Sequence, residues 1–199
     1  ALTIDEEGMA KSAERKLEVA QRMHDLATKR HGIPSEALIY DPLAFTIGSG
    51  DEDSRKAGIE TLRGIKLIKE KVPRARTILG LSNISFGLKP YPRQILNSVF
   101  LAEAIKQGLD SCIVHHKKIL PMHKIEPEIL KITLDLIYDR RAEGYDPLFL
   151  FIEKLQGAKG ADTDAATADQ GPIEEVLKRR IVDGRKVGIE PLLEKAMTT

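Results

Sequence analysis

The chain has 199 residues and a mass of 22.1 kDa, the length of one domain or slightly more. Its 31 Lys and Arg against 30 Asp and Glu leave a net charge of +1, which argues against a general electrostatic grip on nucleic acid or on an anionic membrane. It is too apolar, at 42% hydrophobic residues, for a disordered chain, and Cys112 as the single cysteine excludes an intrachain disulfide framework or a Cys-rich zinc site. No apolar run approaches the ~18 to 20 residues of a membrane span. The acidic, amphipathic opening ALTIDEEGMAKSAERK is not a signal peptide. A cytoplasmic chain with an aliphatic core is expected, since there is no Trp and only 5% aromatic residues.

The first residues, ALTI, read as the end of a strand. Leu17, Ala20, Met23, Leu26 and Ala27 then recur at helical steps, predicting a helix over 11–31 that Gly32 and Pro34 stop. ALIYDPLAF, 37–45, predicts a buried strand ending at Asp41, because Pro42 cannot donate to a central ladder. TIGSGD, 46–51, is a loop that should deliver a helix carrying Ile59, Leu62, Ile65 and Ile68 and ending before Pro73. TILGLSNISF, 77–86, predicts the next strand, with Ser82 and Asn83 near its end. A helix over 93–107 carries Ile95, Leu96, Val99, Ala102 and Ile105 on one face and stops at Gly108. A strand over 111–114, a basic loop His115 to Lys118, and helices over 126–142 and 146–156 complete the series.

Strand and helix thus alternate, with strand starts ~35–40 residues apart. Such spacing predicts βαβ crossovers and a parallel sheet. Roughly four βα units are present, half the number in a closed eight-stranded barrel, so the chain reads as a fragment of one. Residues 157–170, GAKGADTDAATADQ, read as a flexible linker. Amphipathic helical segments resume at 171–199, too few residues to bury a core alone.

Ligand chemistry in such a fold belongs at the C-terminal ends of the strands. Asp5-Glu6-Glu7, Asp41-Pro42, Ser82-Asn83 and His115 to Lys118 are all expected there, on one face of the sheet. Asp41 is either a bidentate acceptor for two adjacent N–H donors on a planar heterocycle or the start of an Asx turn. Asn83 can donate and accept toward a ligand or cap its own loop. Arg93 either meets an anionic or carbonyl group or lies on the surface. His115, His116 and His123 invite a metal reading. Adjacent strand residues point to opposite faces, however, and no carboxylate sits at ligand spacing, so solvated loop histidines are expected and no metal. Cys112 is expected to be core packing. Gly48-Ser49-Gly50 ahead of a helix could hold an anion, but without the P-loop Lys the signal is weak.

DPLAFTIGSG, LGLSNISFGL, ILNSVFLAEAI and LIYDRRAEGYDPL resemble the methyltetrahydrofolate-binding (pterin) module of the cobalamin-dependent methionine synthase family. The opening ALTIDEEGMAKSAERK looks like that module's fifth strand end and following helix. PIEEVLKRRIVDG resembles the start of the helical cap of the family's cobalamin-binding domain. The likeness covers nearly the whole chain in order.

The resemblance implies an α/β fold, the C-terminal half of a pterin-binding (β/α)8 barrel akin to dihydropteroate synthase. It implies a barrel part over 1–156, a linker over 157–170 and the start of a cap over 171–199. The family moves the N5 methyl of 5-methyltetrahydrofolate to cob(I)alamin. By motif, Asp41 would accept hydrogen bonds from the pterin N–H edge, Asn83 would sit near N5 as the catalytic group, and Arg93 matches a family arginine in the pterin site. The folate and a cobalamin-binding domain are the implied partners. The family's other pterin-binding Asp and Asn fall in the half of the barrel this chain lacks. IVHHKKI stands where the family commonly has IVNPAKI, and neither the cobalt-ligating histidine motif nor the zinc cysteines are present. Two rivals remain: the folate module of another corrinoid-dependent methyltransferase, and a non-catalytic half-barrel scaffold.

Overall fold

A computed structural model describes residues 1–156, 171–182 and 189–197. The chain divides into two units, 1–158 and 159–199. The first begins with a backbone pairing in which Leu2 bridges Asp41 in parallel. Thr3 N–H donates to the Asp41 carbonyl at 3.0 Å, and Asp41 N–H donates to the Ala1 carbonyl at 2.7 Å. The expected strand end is therefore present at residues 1–3. The chain then folds into a small antiparallel hairpin, β1 (Ile4–Asp5) on β2 (Gly8–Met9), whose return uses Gly8 at φ 111°.

Helix α1 (Ala13–Asp25) is capped by Ser12, whose side chain accepts from Arg15 N–H. It is shorter than the periodicity predicts, because Leu26–Arg30 widen into a π-helical turn before the chain leaves the helix. A parallel sheet follows in the order β3-β4-β5, with β3 at Ile39–Tyr40, β4 at Arg76–Gly80 and β5 at Ser111–Ile113. Its strands are shorter than expected. Pro42 has no N–H to give and Leu43 takes φ 61°, so β3 stops where Asp41 begins. Beyond Gly80, residues Leu81–Ser85 tighten into a 3₁₀ turn, so Ser82 and Asn83 lie past the strand rather than on it.

Helix α2 (Ala57–Lys71) does not start directly from the 46–51 loop. A 3₁₀ turn, Glu52–Ser54, intervenes. Gly48-Ser49-Gly50 therefore does not stand at a helix N-terminus, and the anion-binding reading of that stretch loses its geometry. Helices α3 (Pro90–Lys106), α4 (Pro127–Ile137) and α5 (Pro147–Leu155) each open on a proline in the first turn, where its missing N–H costs nothing. Asp146 caps α5 by accepting from Leu148 N–H at 2.8 Å. It also takes both ends of the buried Arg55 guanidinium at 3.0 and 2.9 Å, a bidentate pair that fixes α5 against the entry to α2.

The main core is aliphatic, as composition requires. Leu79, Leu81 and Ile84 pack with Ile65 of α2, Leu96, Val99 and Phe100 of α3, Ile132 of α4 and Phe151 of α5. Each such fully buried side chain contributes roughly 1.5–3 kcal/mol. A smaller cluster joins Ala20 of α1 to Tyr40, Ile68, Val72 and Ala75. The register puts Tyr40 beside Thr77 and Leu79 beside Cys112, all on the helix-covered face. Cys112 packs against the main core, and burial pushes its thiol up. The opposite face carries Ile39 and Ile113, which are 41% and 66% exposed. Parallel sheets are normally covered on both faces; among the described residues only one face of this sheet is covered, and no closed barrel is present.

In the second unit, α6 (Ile173–Val182) and α7 (Glu190–Met197) contact each other. Val176 and Leu177 are buried. The linker expected over 157–170 lies outside the described residues. No helix among the described residues is long and apolar enough to cross a membrane.

Candidate functional site

The site is built on the two turns that leave β3 and β4. At the first, the Asp41 backbone stays in the sheet while its side chain turns back, Oδ1 accepting from Leu43 N–H at 2.8 Å. The Asx turn that the sequence offered as one reading of Asp41 is thus formed. It does not exhaust the carboxylate, which has about four lone-pair positions, and among the described residues Asp41 forms no salt bridge. Burial pushes its pKa up. The Leu43 N–H, the Ala1 amino group, Lys16 and the Gly80 N–H pull the other way. A half-buried carboxylate with little water around it is a strong acceptor for a ligand's N–H groups.

At the second turn, Asn83 is exposed on the 3₁₀ segment, and its main-chain carbonyl accepts from Phe86 N–H at 3.1 Å. Its side-chain amide lies over Gly80: a Cβ on Gly80 would stand 3.8 Å from Asn83 Nδ2. Gly80 thus borders both candidate side chains: its N–H lowers the Asp41 pKa, and it lies close to the Asn83 amide. The two turns are also tied together. Ile47 N–H donates to the Ile84 carbonyl at 3.0 Å. Thr46 Oγ1 donates to the Phe86 carbonyl at 2.7 Å and accepts from Gly48 N–H at 3.1 Å. Gly48 lets the two turns approach closely, since a Cβ there would stand 2.7 Å from Leu88 Cγ and force that side chain to shift.

Arg93 does not project a free guanidinium toward the site. It is half-buried, with Nε donating to Ser85 Oγ at 3.1 Å and Nη2 to the Ser82 carbonyl at 3.1 Å. Ser85, fully buried, donates in turn to the same carbonyl at 3.2 Å. In this arrangement Arg93 braces the turn that carries Asn83. Arg93→Lys keeps the charge but cannot span both acceptors. It should cost about 1–2 kcal/mol in chemical denaturation, with increased proteolytic cutting near 82–86.

The remaining polar clusters have other employment. Asp5 and Glu6 are engaged by α1: Arg15 Nη2 sits 2.5 Å from Asp5 Oδ2, and Arg22 Nη2 sits 2.6 Å from Glu6 Oε2. Their expected place beside Asp41 and Asn83 is thus replaced by ion pairs to the helix. His115 and His116 are exposed and their rings stack at 5.8 Å, leading into a basic 3₁₀ turn, His116–Lys118. Among the described residues no group of three or more His, Cys, Asp or Glu comes together as a metal site.

Residues 2–115 match the sequence profile described as pterin binding enzyme. The chain belongs to the pterin-binding enzyme family. It is 48% identical, over 201 aligned residues and all of its length, to curated proteins named methionine synthase from Mycobacterium tuberculosis (strain ATCC 25618 / H37Rv) and Mycobacterium leprae (strain TN). It spans 17% of the length of each. The matched residues 2–115 contain Asp41, Asn83, Arg93 and both stitched turns.

Sequence reasoning passed over Lys16, Thr46 and Gly80. Lys16 had a legible signal. It lies three residues after Ala13 and four before Ala20, on the stripe that α1 buries.

Proposed function

We propose that this chain is the C-terminal half of a pterin-binding (β/α)8 barrel that holds 5-methyltetrahydrofolate for transfer of its N5 methyl group to cob(I)alamin in methionine synthesis. The observation that carries the reading is the placement of the Asx turn at Asp41 and the 3₁₀ turn bearing Asn83 after neighbouring parallel strands, tied to each other by the Ile47 N–H to Ile84 carbonyl bond, in a chain of the pterin-binding family. Asp41 would accept from the two adjacent N–H groups on the pyrimidine edge of the pterin, a planar bidentate match that favours the ionised carboxylate.

The N5 methyl is bonded to a tertiary amine, a poor leaving group. When the C–N bond breaks, its electron pair stays on N5, so protonation of N5 lowers the barrier. Asn83, through its amide and the waters it orders, would stabilise the charge that develops there, which is transition-state rather than ground-state binding. No activated nucleophile is required of this chain. Cobalamin, when bound by its own domain, supplies the nucleophile that accepts the methyl group. Residues 171–199 would be the start of that domain's helical cap, and the uncovered face of the sheet, with Ile39 and Ile113, would close against the other half of the barrel. The match to methionine synthases along the whole chain, including 171–199, favours this reading over a free-standing folate module or a scaffold.

Calorimetric titration of the full-length protein with 5-methyltetrahydrofolate tests it. Saturable binding at one site per chain is expected. Absence of heat at concentrations well above the micromolar range would remove the pterin reading.

A further inference from the structure

Lys16 is a fully buried lysine, 0% exposed, which is rare unless the charge has dedicated partners. Its ammonium points out of α1 into the loop that follows β3. There Nζ donates to the Pro42 carbonyl at 2.6 Å, the Leu43 carbonyl at 3.1 Å and the Ala10 carbonyl at 2.8 Å. Three N–H bonds meet three carbonyls, so every proton of the ammonium is used. Two of these carbonyls belong to the residues directly after Asp41. The Leu43 carbonyl also accepts from Thr61 Oγ1 at 3.1 Å, and Leu43 itself has φ 61°, a conformation that a leucine seldom adopts and that its surroundings must impose. The Phe45 ring lies 4.9 Å from Nζ and closes the pocket. Passage for the lysine stem is provided by Gly64 of α2, where a Cβ would stand 2.6 Å from Lys16 Cδ.

We propose that Lys16 is a positioning residue for the pterin site: its ammonium pins the carbonyls of Pro42 and Leu43 and thereby sets the Asx turn that aims the Asp41 carboxylate. The inference rests on the pterin reading for its functional consequence, but not for its structural one. The charged groups facing Nζ are Asp41, from the turn after β3, and Glu60, from α2. Glu60 is itself held by Ala13 N–H and by Arg63. Burial lowers Lys16 to about 8. Above that pH the neutral amine keeps two protons for three carbonyls, two of them in the turn, so the three contacts can no longer all be held.

Two measurements on the full-length protein test the proposal. Lys16→Met keeps the stem and removes the donors. Amide hydrogen exchange should show protection of the Leu43 N–H, which donates to Asp41 Oδ1, falling by about tenfold or more relative to amides of α3, and the dissociation constant for 5-methyltetrahydrofolate should rise by about tenfold or more. In the unaltered protein, Leu43 protection and folate affinity should both decline between about pH 7 and pH 9, and Lys16→Met should flatten both profiles in that window. Gly64→Ala, which displaces the stem without removing the charge, should move both readouts in the same direction and serves if Lys16→Met does not fold. A folded Lys16→Met with unchanged Leu43 protection overturns the proposal, as does unaltered protein whose Leu43 protection is flat from pH 7 to 9. Failure of the unaltered protein to bind 5-methyltetrahydrofolate would sink the pterin reading instead, and the exchange data would still decide the structural role of Lys16.

Discussion

Asp41→Asn should raise the dissociation constant for 5-methyltetrahydrofolate by about two orders of magnitude while changing stability by no more than about 0.5 kcal/mol. The substitution separates the two roles of this side chain. An asparagine Oδ1 can accept from Leu43 N–H as the carboxylate does at 2.8 Å, so the Asx turn survives. The second oxygen becomes an NH₂ group, which would face an N–H donor of the pterin with another donor. One charge-assisted bond is lost and a repulsive contact replaces it, together on the order of 3 kcal/mol. If Asp41 served the turn alone, affinity would not move, and calorimetry on the two proteins side by side would show it.

Acid gives the same answer without mutation. Burial raises the pKa of Asp41, so the acceptor is neutralised at a higher pH than an ordinary aspartate would be. Binding that depends on the carboxylate is fully present well above that raised pKa and is lost as pH falls through it. The loss should be absent from Asp41→Asn.

How much of this was visible beforehand differs by level. The alternation of strand and helix, and hence the parallel sheet, is written in the spacing of apolar runs. Asp41 and Asn83 stand out because each interrupts such a run. The lengths of the strands do not follow from the pattern, since apolar residues continue through Leu43–Phe45 and Leu81–Ile84 after the ladder has ended. There Ala44, Leu81 and Ile84 stay buried while the backbone turns, all three packing into the main core. Apolar character alone cannot tell a buried turn from a buried strand. Arg93 was legible as a polar residue near the site but not as a brace, because its partners Ser82 and Ser85 are ordinary loop residues until the 3₁₀ turn brings them under the guanidinium. Gly80 carried no signal either. Its meaning comes from the approach of a second strand and of an amide three residues ahead, which only the fold supplies.

The acidic opening shows the opposite error. Asp5, Glu6 and Glu7 resemble a ligand cluster in sequence, yet Arg15, in the first turn of α1, and Arg22, about two turns further along it, reach back to them. Charges balanced by a neighbouring helix hold a hairpin in place. Asp41, which forms no salt bridge among the described residues, is the carboxylate that the proposed reading leaves to meet the pterin.

Asn83→Ala should separate rate from affinity. Its side chain is exposed, and its main-chain carbonyl accepts from Phe86 N–H. Alanine retains that bond, so neither the 3₁₀ turn nor the Arg93 brace should be disturbed. On the proposed reading the pyrimidine edge at Asp41 carries most of the 5-methyltetrahydrofolate affinity, so binding should weaken by less than about tenfold. The charge on N5, by contrast, grows only as the methyl group leaves. Removing a donor aimed at developing charge costs about 10²–10³ in rate in comparable sites. Single-turnover methyl transfer at saturating folate should fall by that factor, with kcat and kcat/KM dropping together. Equal losses in binding and in rate would assign Asn83 to the ground-state pterin contact, and the stabilisation of N5 would then have to come from solvent or from residues in the other half of the barrel.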